Sequence, residues 1–155
     1  MTRFVRFIIS LLAGLVVVGL LVSLSISHPF NAELGIAVFL FAWLIVFTIT
    51  YSIPFANGAI SLMPMTVAAA YLALGKVPAA WTTALGVLIH AVVRRWRADH
   101  DPNLKEPWGL DLVEVTSVNI TMHTSGILVA GVVYEALGGL MPLIYLTPQV
   151  WLKLG

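Results

Sequence analysis

The sequence predicts an all-α membrane protein, a polytopic bundle of five or six transmembrane helices in a single domain over residues 1–155. Three observations carry that prediction. Of the 155 residues, 60% are hydrophobic and only 10% are charged, whereas a soluble domain is about one quarter charged; so little charge does not cover a water-facing surface. The apolar residues fall into runs near the ~20 residues that cross a bilayer. The runs are separated by short segments holding Pro, Gly and Asn, and one long polar stretch, which leaves almost no chain for a soluble domain.

The first run, 4–27, follows Arg3 and contains Arg6. A basic start, an apolar core and the small residues of Ser25-Ile26-Ser27 follow the order of a secretory signal. The core is longer than the ~7–15 residues of such signals, so an uncleaved first span is expected. His28 to Glu33 reads as a turn, and the aromatic-rich run 34–53 as the second span. Pro54 to Gly58 breaks it. A third span, 59–74, is short and carries Pro64 inside. Gly75-Lys76-Val77-Pro78 is a tight connection, because glycine ends a helix well and proline starts one. The fourth span is 79–93, the segment 94–111 reads as a basic loop, and the fifth span is 112–137, ended by Gly138-Gly139. The stretch 140–154, with Pro142, Pro148 and Gln149, is short and reads as a partial sixth span.

Charge then orients the spans. If the N-terminus is inside and the spans alternate, the inner side holds Arg3, Arg6, Arg94, Arg95, Arg97 and Lys105, with Lys153 if the last stretch crosses; the outer side holds Lys76. Short loops obey the positive-inside rule, so the expected placement is a multi-pass protein of the inner (plasma) membrane with a cytoplasmic N-terminus. Trp96, Trp108 and Trp151 would then lie near the inner interface, where indole rings are favoured.

Two helices carry the residues of chemical interest. On the fourth span Thr83, Gly86 and His90 share one face by their spacing of three and four, and Arg94 continues the stripe. On the fifth, Asn119 and His123 are four apart with Thr116 and Gly126 on the same side, and Glu114, Ser117, Thr121 and Ser125 line a neighbouring side. A lipid-facing helix would leave such groups without water or partner, so the fifth helix is expected in the middle of the bundle. Two readings stand for both faces. In one, small and polar residues serve close packing and interhelical hydrogen bonds. In the other, His90, Asn119, His123, Thr83 and Thr116 line a small-molecule pocket, since ionisable groups at membrane depth are costly and mark function. Glu114 is placed to pair with Arg94 or Arg95, and Glu135 at a hydrated outer edge.

The sequence offers little for catalysis. There is no nucleophile elbow, no paired-carboxylate site at depth, no metal motif on a helix and no glycine-rich phosphate loop. The absence of cysteine excludes disulfides and thiolate metal sites. Asp99-His100-Asp101 has metal-compatible residue types, but three adjacent residues rarely hold one ion, and it reads as a solvated charged loop. Asn57-Gly58 reads as an ordinary turn. Axial haem or chlorophyll ligation by His90 or His123 stays open; no cofactor, metal or nucleic-acid partner is otherwise implied.

Two stretches suggest a family. Ser61-Leu62-Met63-Pro64 through Ala73-Leu74-Gly75, followed by Ala79-Ala80 to Leu88, gives a small-rich helix ending in leucine-glycine and then a proline-started helix. Gly131-Val132-Val133-Tyr134-Glu135-Ala136-Leu137-Gly138-Gly139 gives a helix ending in tyrosine and a glycine pair. Over Gly58 to Gly139 this pattern resembles the N-terminal membrane region of bacterial signalling proteins that carry a cytoplasmic HD-type phosphohydrolase or GGDEF diguanylate cyclase domain. It differs from them in having Asp111 and Glu114, with Asn119 only later, where an asparagine often opens the helix after the basic loop. The pattern is also similar to the substrate-binding membrane subunits of energy-coupling-factor vitamin transporters. The resemblance implies a non-catalytic sensor or anchor module, the input region of a signalling protein, working with the lipid bilayer, a small-molecule ligand and a cytoplasmic output domain. The alternatives are a solute-binding transporter subunit, or a structural or pigment-binding subunit among partner membrane subunits.

Overall fold

The computed structural model describes residues 3–27, 32–51, 53–55, 58–100 and 109–139. Five helices appear among them: α1 (Arg3–Ser27), α2 (Ala32–Thr50), α3 (Met63–Leu74), α4 (Lys76–His100) and α5 (Leu110–Ala136). Between α2 and α3 lie two short antiparallel strands, β1 (Ile53–Phe55) and β2 (Gly58–Ile60), with Ile53 opposite Ile60. The molecule is an all-α bundle, and α1, α2, α4 and α5 are each long and apolar enough to cross a membrane.

Three expected boundaries shift. The third span does not run from 59: residues 58–60 are strand, and α3 has 12 residues, roughly 18 Å at 1.5 Å per residue. The cause is local. Pro64 sits in the first turn, where its missing N–H costs nothing, so it marks the start of the helix and not its interior. The Ser61 hydroxyl donates to the Thr48 carbonyl at 3.2 Å and accepts the Met63 N–H at 3.2 Å, fastening the start of α3 beside the end of α2. The segment 94–111 is not wholly loop, because α4 runs on to His100. α4 also starts at Lys76, directly after Gly75, whose φ of 85° turns the chain while its N–H bonds the Tyr71 carbonyl at 2.9 Å. The partial span 140–154 and Asn57, Asp101, Lys105, Trp108 and Trp151 lie outside the described residues.

The helices alternate in direction. Arg3 pairs with Asp111, and Arg6 Nε lies 2.6 Å from Glu114 Oε1, so α1 and α5 start at one end, hereafter the arginine end. Lys76 Nζ lies 2.6 Å from Glu135 Oε2 at the opposite, lysine end, so α4 runs against α5. Glu114 thus has a partner other than those expected, Arg6, because α1 docks beside α5; Glu135, for which no partner was expected, pairs with Lys76 at a part-exposed edge. Trp81 Nε1 donates to Ser25 Oγ at 2.8 Å, tying α4 to the end of α1.

The core sits around α4, not α5. Half of the most apolar 18-residue window of α4 is buried, against 22%, 22% and 17% for α1, α2 and α5. Alanine explains it. Ala79, Ala80 and Ala84 let α4 come close to Ala70, Leu21, Ile127 and Leu128 in one cluster, and Val87 joins Ile45 and Met63 in a second. Small residues are what allow helix backbones to approach where no water drives them together. Gly86 is the extreme case, facing Ile45 and the Ala42 carbonyl of α2 with no room for a methyl. α1 presents Ser10, Gly14, Val17 and Leu21, spaced four, three and four, as its buried stripe. The expectation of a central α5 fails because several of its polar groups need no neighbour. Thr121 Oγ1 donates to the Ser117 carbonyl at 2.8 Å and Ser125 Oγ to the Thr121 carbonyl at 2.5 Å, each satisfied one turn back on its own helix. The outward faces of α1 and α2 carry Phe4, Ile9, Leu12, Val16, Phe39, Leu40 and Phe47, all more than half exposed.

Candidate ligand-binding site

α4 and α5 pass each other in opposite directions, and near the arginine end their facing stripes separate. Val87, His90, Ala91 and Arg94 follow a three- and four-residue spacing on α4; Leu112, Val115, Thr116, Asn119 and His123 do so on α5. Between them lies a cleft of about 120 Å³, walled on the core side by Ile49 of α2 and Met63 of α3. The position follows from element lengths. α2 stops at Thr50 and α3 starts at Met63, whereas α4 continues to His100, so the last turns of α4 outrun their packing partners.

Four of the five residues expected to bind a ligand meet here: His90, Thr116, Asn119 and His123 all line the cleft. Arg94, which continues the His90 stripe, lines it too. His90 Nδ1 lies 3.3 Å from the Thr50 hydroxyl, which fixes the ring at the edge where α2 ends. Thr83 is elsewhere. It is fully buried, and its hydroxyl donates to the Ala79 carbonyl at 2.9 Å. Thr83 and Gly86 do share the His90 face, but the bundle changes beneath it: at Gly86 the neighbour is Ile45 of α2. Sequence reasoning missed Thr50, Ile49 and Met63, whose approach to the cleft depends on where α2 ends and α3 begins.

A second hollow adjoins the first. Between α3 and α5 runs a groove of about 380 Å³, lined by Met63, Val67, Ala68, Tyr71, Gly126 and Ala130 among others. It is apolar except for His123 and the Tyr71 hydroxyl, which donates to the Gly131 carbonyl at 3.4 Å. Met63 and His123 line both hollows. His123 is more exposed than His90, because it stands on the α5 face turned to the groove.

The cleft brings together groups able to hydrogen-bond. Arginine, histidine, asparagine and threonine side chains supply donors converging on a small volume, and the groove supplies apolar surface. At about 120 Å³ the cleft is below the ~300 Å³ of ordinary small-molecule pockets. No group of three metal-ligating side chains occurs among the described residues. On the Asp99-His100 segment, Asp99 pairs with Arg95, and His100 Nδ1 lies 2.8 Å from the Trp96 carbonyl, so both side chains serve the end of α4. No known protein family, characterised protein or solved structure matches the chain.

Proposed function

We propose that the chain is a non-catalytic integral membrane module that binds a small ligand and acts as the sensor or anchor region of a bacterial signalling protein, seated in the inner membrane with its N-terminus in the cytoplasm. One observation carries the reading: His90, Arg94, Thr116, Asn119 and His123, from two helices, face a single cleft. Helix packing by itself does not call for four polar side-chain types, histidine, arginine, threonine and asparagine, along one cleft between two helices. The orientation rests on charge. Arg3, Arg6, Arg94, Arg95 and Arg97 cluster at one end of the bundle and Lys76 at the other, the asymmetry that sets topology in short-looped membrane proteins.

Binding in the cleft changes the spacing of α4 and α5 at the end where both approach the polar segment between them. An output domain or partner subunit on the cytoplasmic side is the natural recipient of that displacement. Shifting a two-state module from minor to major state takes about 5.5 kcal/mol of differential binding, within reach of two or three charge-assisted hydrogen bonds at ~1.5–3 kcal/mol each. A second reading, a solute-binding transporter subunit, draws on the groove, which leads from the cleft to the exposed residues Met122, Gly126 and Ala130 at the side of the bundle.

The test is occupancy. Protein extracted from its own membrane and weighed intact by native mass spectrometry should carry a bound small molecule. Asn119→Ala and His123→Ala should each lose most of it. Full occupancy in both variants would remove the site assignment.

A further inference from the structure

The end of α5 aims the chain at the groove between α3 and α5. Gly138 has φ 86°; its N–H bonds the Glu135 carbonyl at 3.0 Å, and the Gly139 N–H bonds the Tyr134 carbonyl at 3.0 Å. That pair of bonds is the Schellman turn, which ends a helix on a left-handed residue. Gly139 then lies on the Tyr134 ring, with no room for a Cβ. Tyr134 comes next after Gly126 and Ala130 in the four-residue stripe that α5 turns to the groove. Its ring meets the Tyr71 ring edge-on, with centroids 6.1 Å apart. The chain therefore leaves α5 on the groove side, at the lysine end of the groove. Among the described residues the groove is unfinished. His123, halfway along α5, is exposed beside it and has no hydrogen-bond partner among them, and an imidazole at membrane depth is costly against lipid.

We propose that residues 140–154, which lie outside the described residues, fold back along α5 and fill this groove, with Gln149 level with His123. Length and register fit. From Tyr134 back to His123 is roughly 16 Å of helix, and from Gly139 on to Gln149 roughly 15 Å at the same rise. A stretch short of the ~20 residues that cross a bilayer is long enough to cover the roughly 12 Å from Tyr71 to Met63. Composition fits too. The segment is rich in leucine, its single charge is Lys153 near its far end, and Gln149 is its one amide. The amide gives the imidazole a donor or an acceptor, whichever tautomer the ring holds, and the lysine stem can carry its ammonium toward the arginine-end face. Lipid tails solvate an apolar wall as well as leucine does, so the tether and the amide are what favour the segment over lipid. Nothing in this seat depends on what the cleft binds.

The test uses the full chain, both in its own membrane and at one copy per phosphatidylcholine nanodisc, with a diazirine-bearing residue in place of Ala130 or of Met122. After photolysis, peptide mass spectrometry should map the adducts of position 130 to residues 140–146 and those of position 122 to residues 147–154, at the mass of one chain. If the variant at position 130 does not fold, Ala68, on the opposite wall of the groove, carries the probe instead. Adducts to lipid alone would give the groove to acyl chains. Links that appear only in the native membrane, at the mass of two chains, would give it to a second copy. Either result overturns the proposal, as does the reversed order, with position 122 reaching residues 140–146.

Discussion

Replacing Gly86 by alanine tests how closely α2 and α4 approach. A Cβ at Gly86 would lie 2.7 and 2.8 Å from Ile45 Cγ2 and Cβ and 3.1 Å from the Ala42 carbonyl oxygen. Carbon atoms pack best at about 3.5–4.0 Å. Ile45 is fully buried, and neither its Cβ nor the Ala42 backbone swings aside as the end of a flexible chain does. α2 must therefore retreat by roughly 0.7–1 Å, a gap that forfeits a quarter to a half of each contact it opens. Overpacking of this kind costs about 1–3 kcal/mol. Against it, alanine is better than glycine in a helix by about 1 kcal/mol, so the net effect is a loss of about 0–2 kcal/mol. Gly19 on α1 supplies the control, since a Cβ there meets nothing within 4 Å; Gly19→Ala should stabilise by up to ~1 kcal/mol. Reversible unfolding of both variants in mixed micelles measures the difference, expected at about 1–3 kcal/mol in favour of Gly19→Ala. Equal stabilisation by the two substitutions would refute the close approach of α2 and α4, and with it the placement of Ile49 and Thr50 at the cleft.

Two further outcomes are expected. Thr124 is fully buried on α5, and its hydroxyl has no hydrogen-bond partner among the described residues; Thr124→Val keeps the shape and removes the stranded group, so stability should rise by about 1 kcal/mol, and a fall of that size in the same unfolding assay would mean the hydroxyl is bonded. The chain has no cysteine, so single-cysteine topology mapping needs no prior substitutions: Glu33→Cys should react with an impermeant maleimide in intact cells and Asp99→Cys only after permeabilisation, and the reverse pattern would invert the proposed orientation.

Periodicity and composition were enough to find the helices, because an apolar run of about 20 residues has few alternatives in lipid. They placed His90, Thr116, Asn119 and His123 on facing stripes, since a helical face is a property of local spacing. Three features read differently in the sequence and in the fold. Pro64 reads as an interior break until the helix start is known. Arg94 to His100 reads as loop because charge suggests solvent, yet the Arg95–Asp99 pair sits at the i,i+4 spacing that supports a helix. The polar residues of α5 look like evidence for burial, but threonine and serine can bond the preceding turn, and in the folded chain Thr121 and Ser125 do so. Thr83 fails for a related reason: a shared face predicts a shared neighbour only while the helices remain side by side.

The cleft follows from the same mismatch that shortened α3. A bundle whose helices all had the length of α4 would close its arginine end with side chains from α2 and α3. Here α2 ends at Thr50 and α3 begins at Met63, while α4 and α5 extend further, to His100 and from Leu110. Among the described residues the facing stripes of α4 and α5 then lose lateral cover from α2 and α3. Asparagine and two histidines cost little at such a site, where they would cost several kcal/mol in a dry core. The strongest packing, around Ala79, Ala80, Ala84 and Gly86, lies between this cleft and the lysine end. On the proposed reading, a ligand in the cleft acts on the part of α4 that lies beyond this packing.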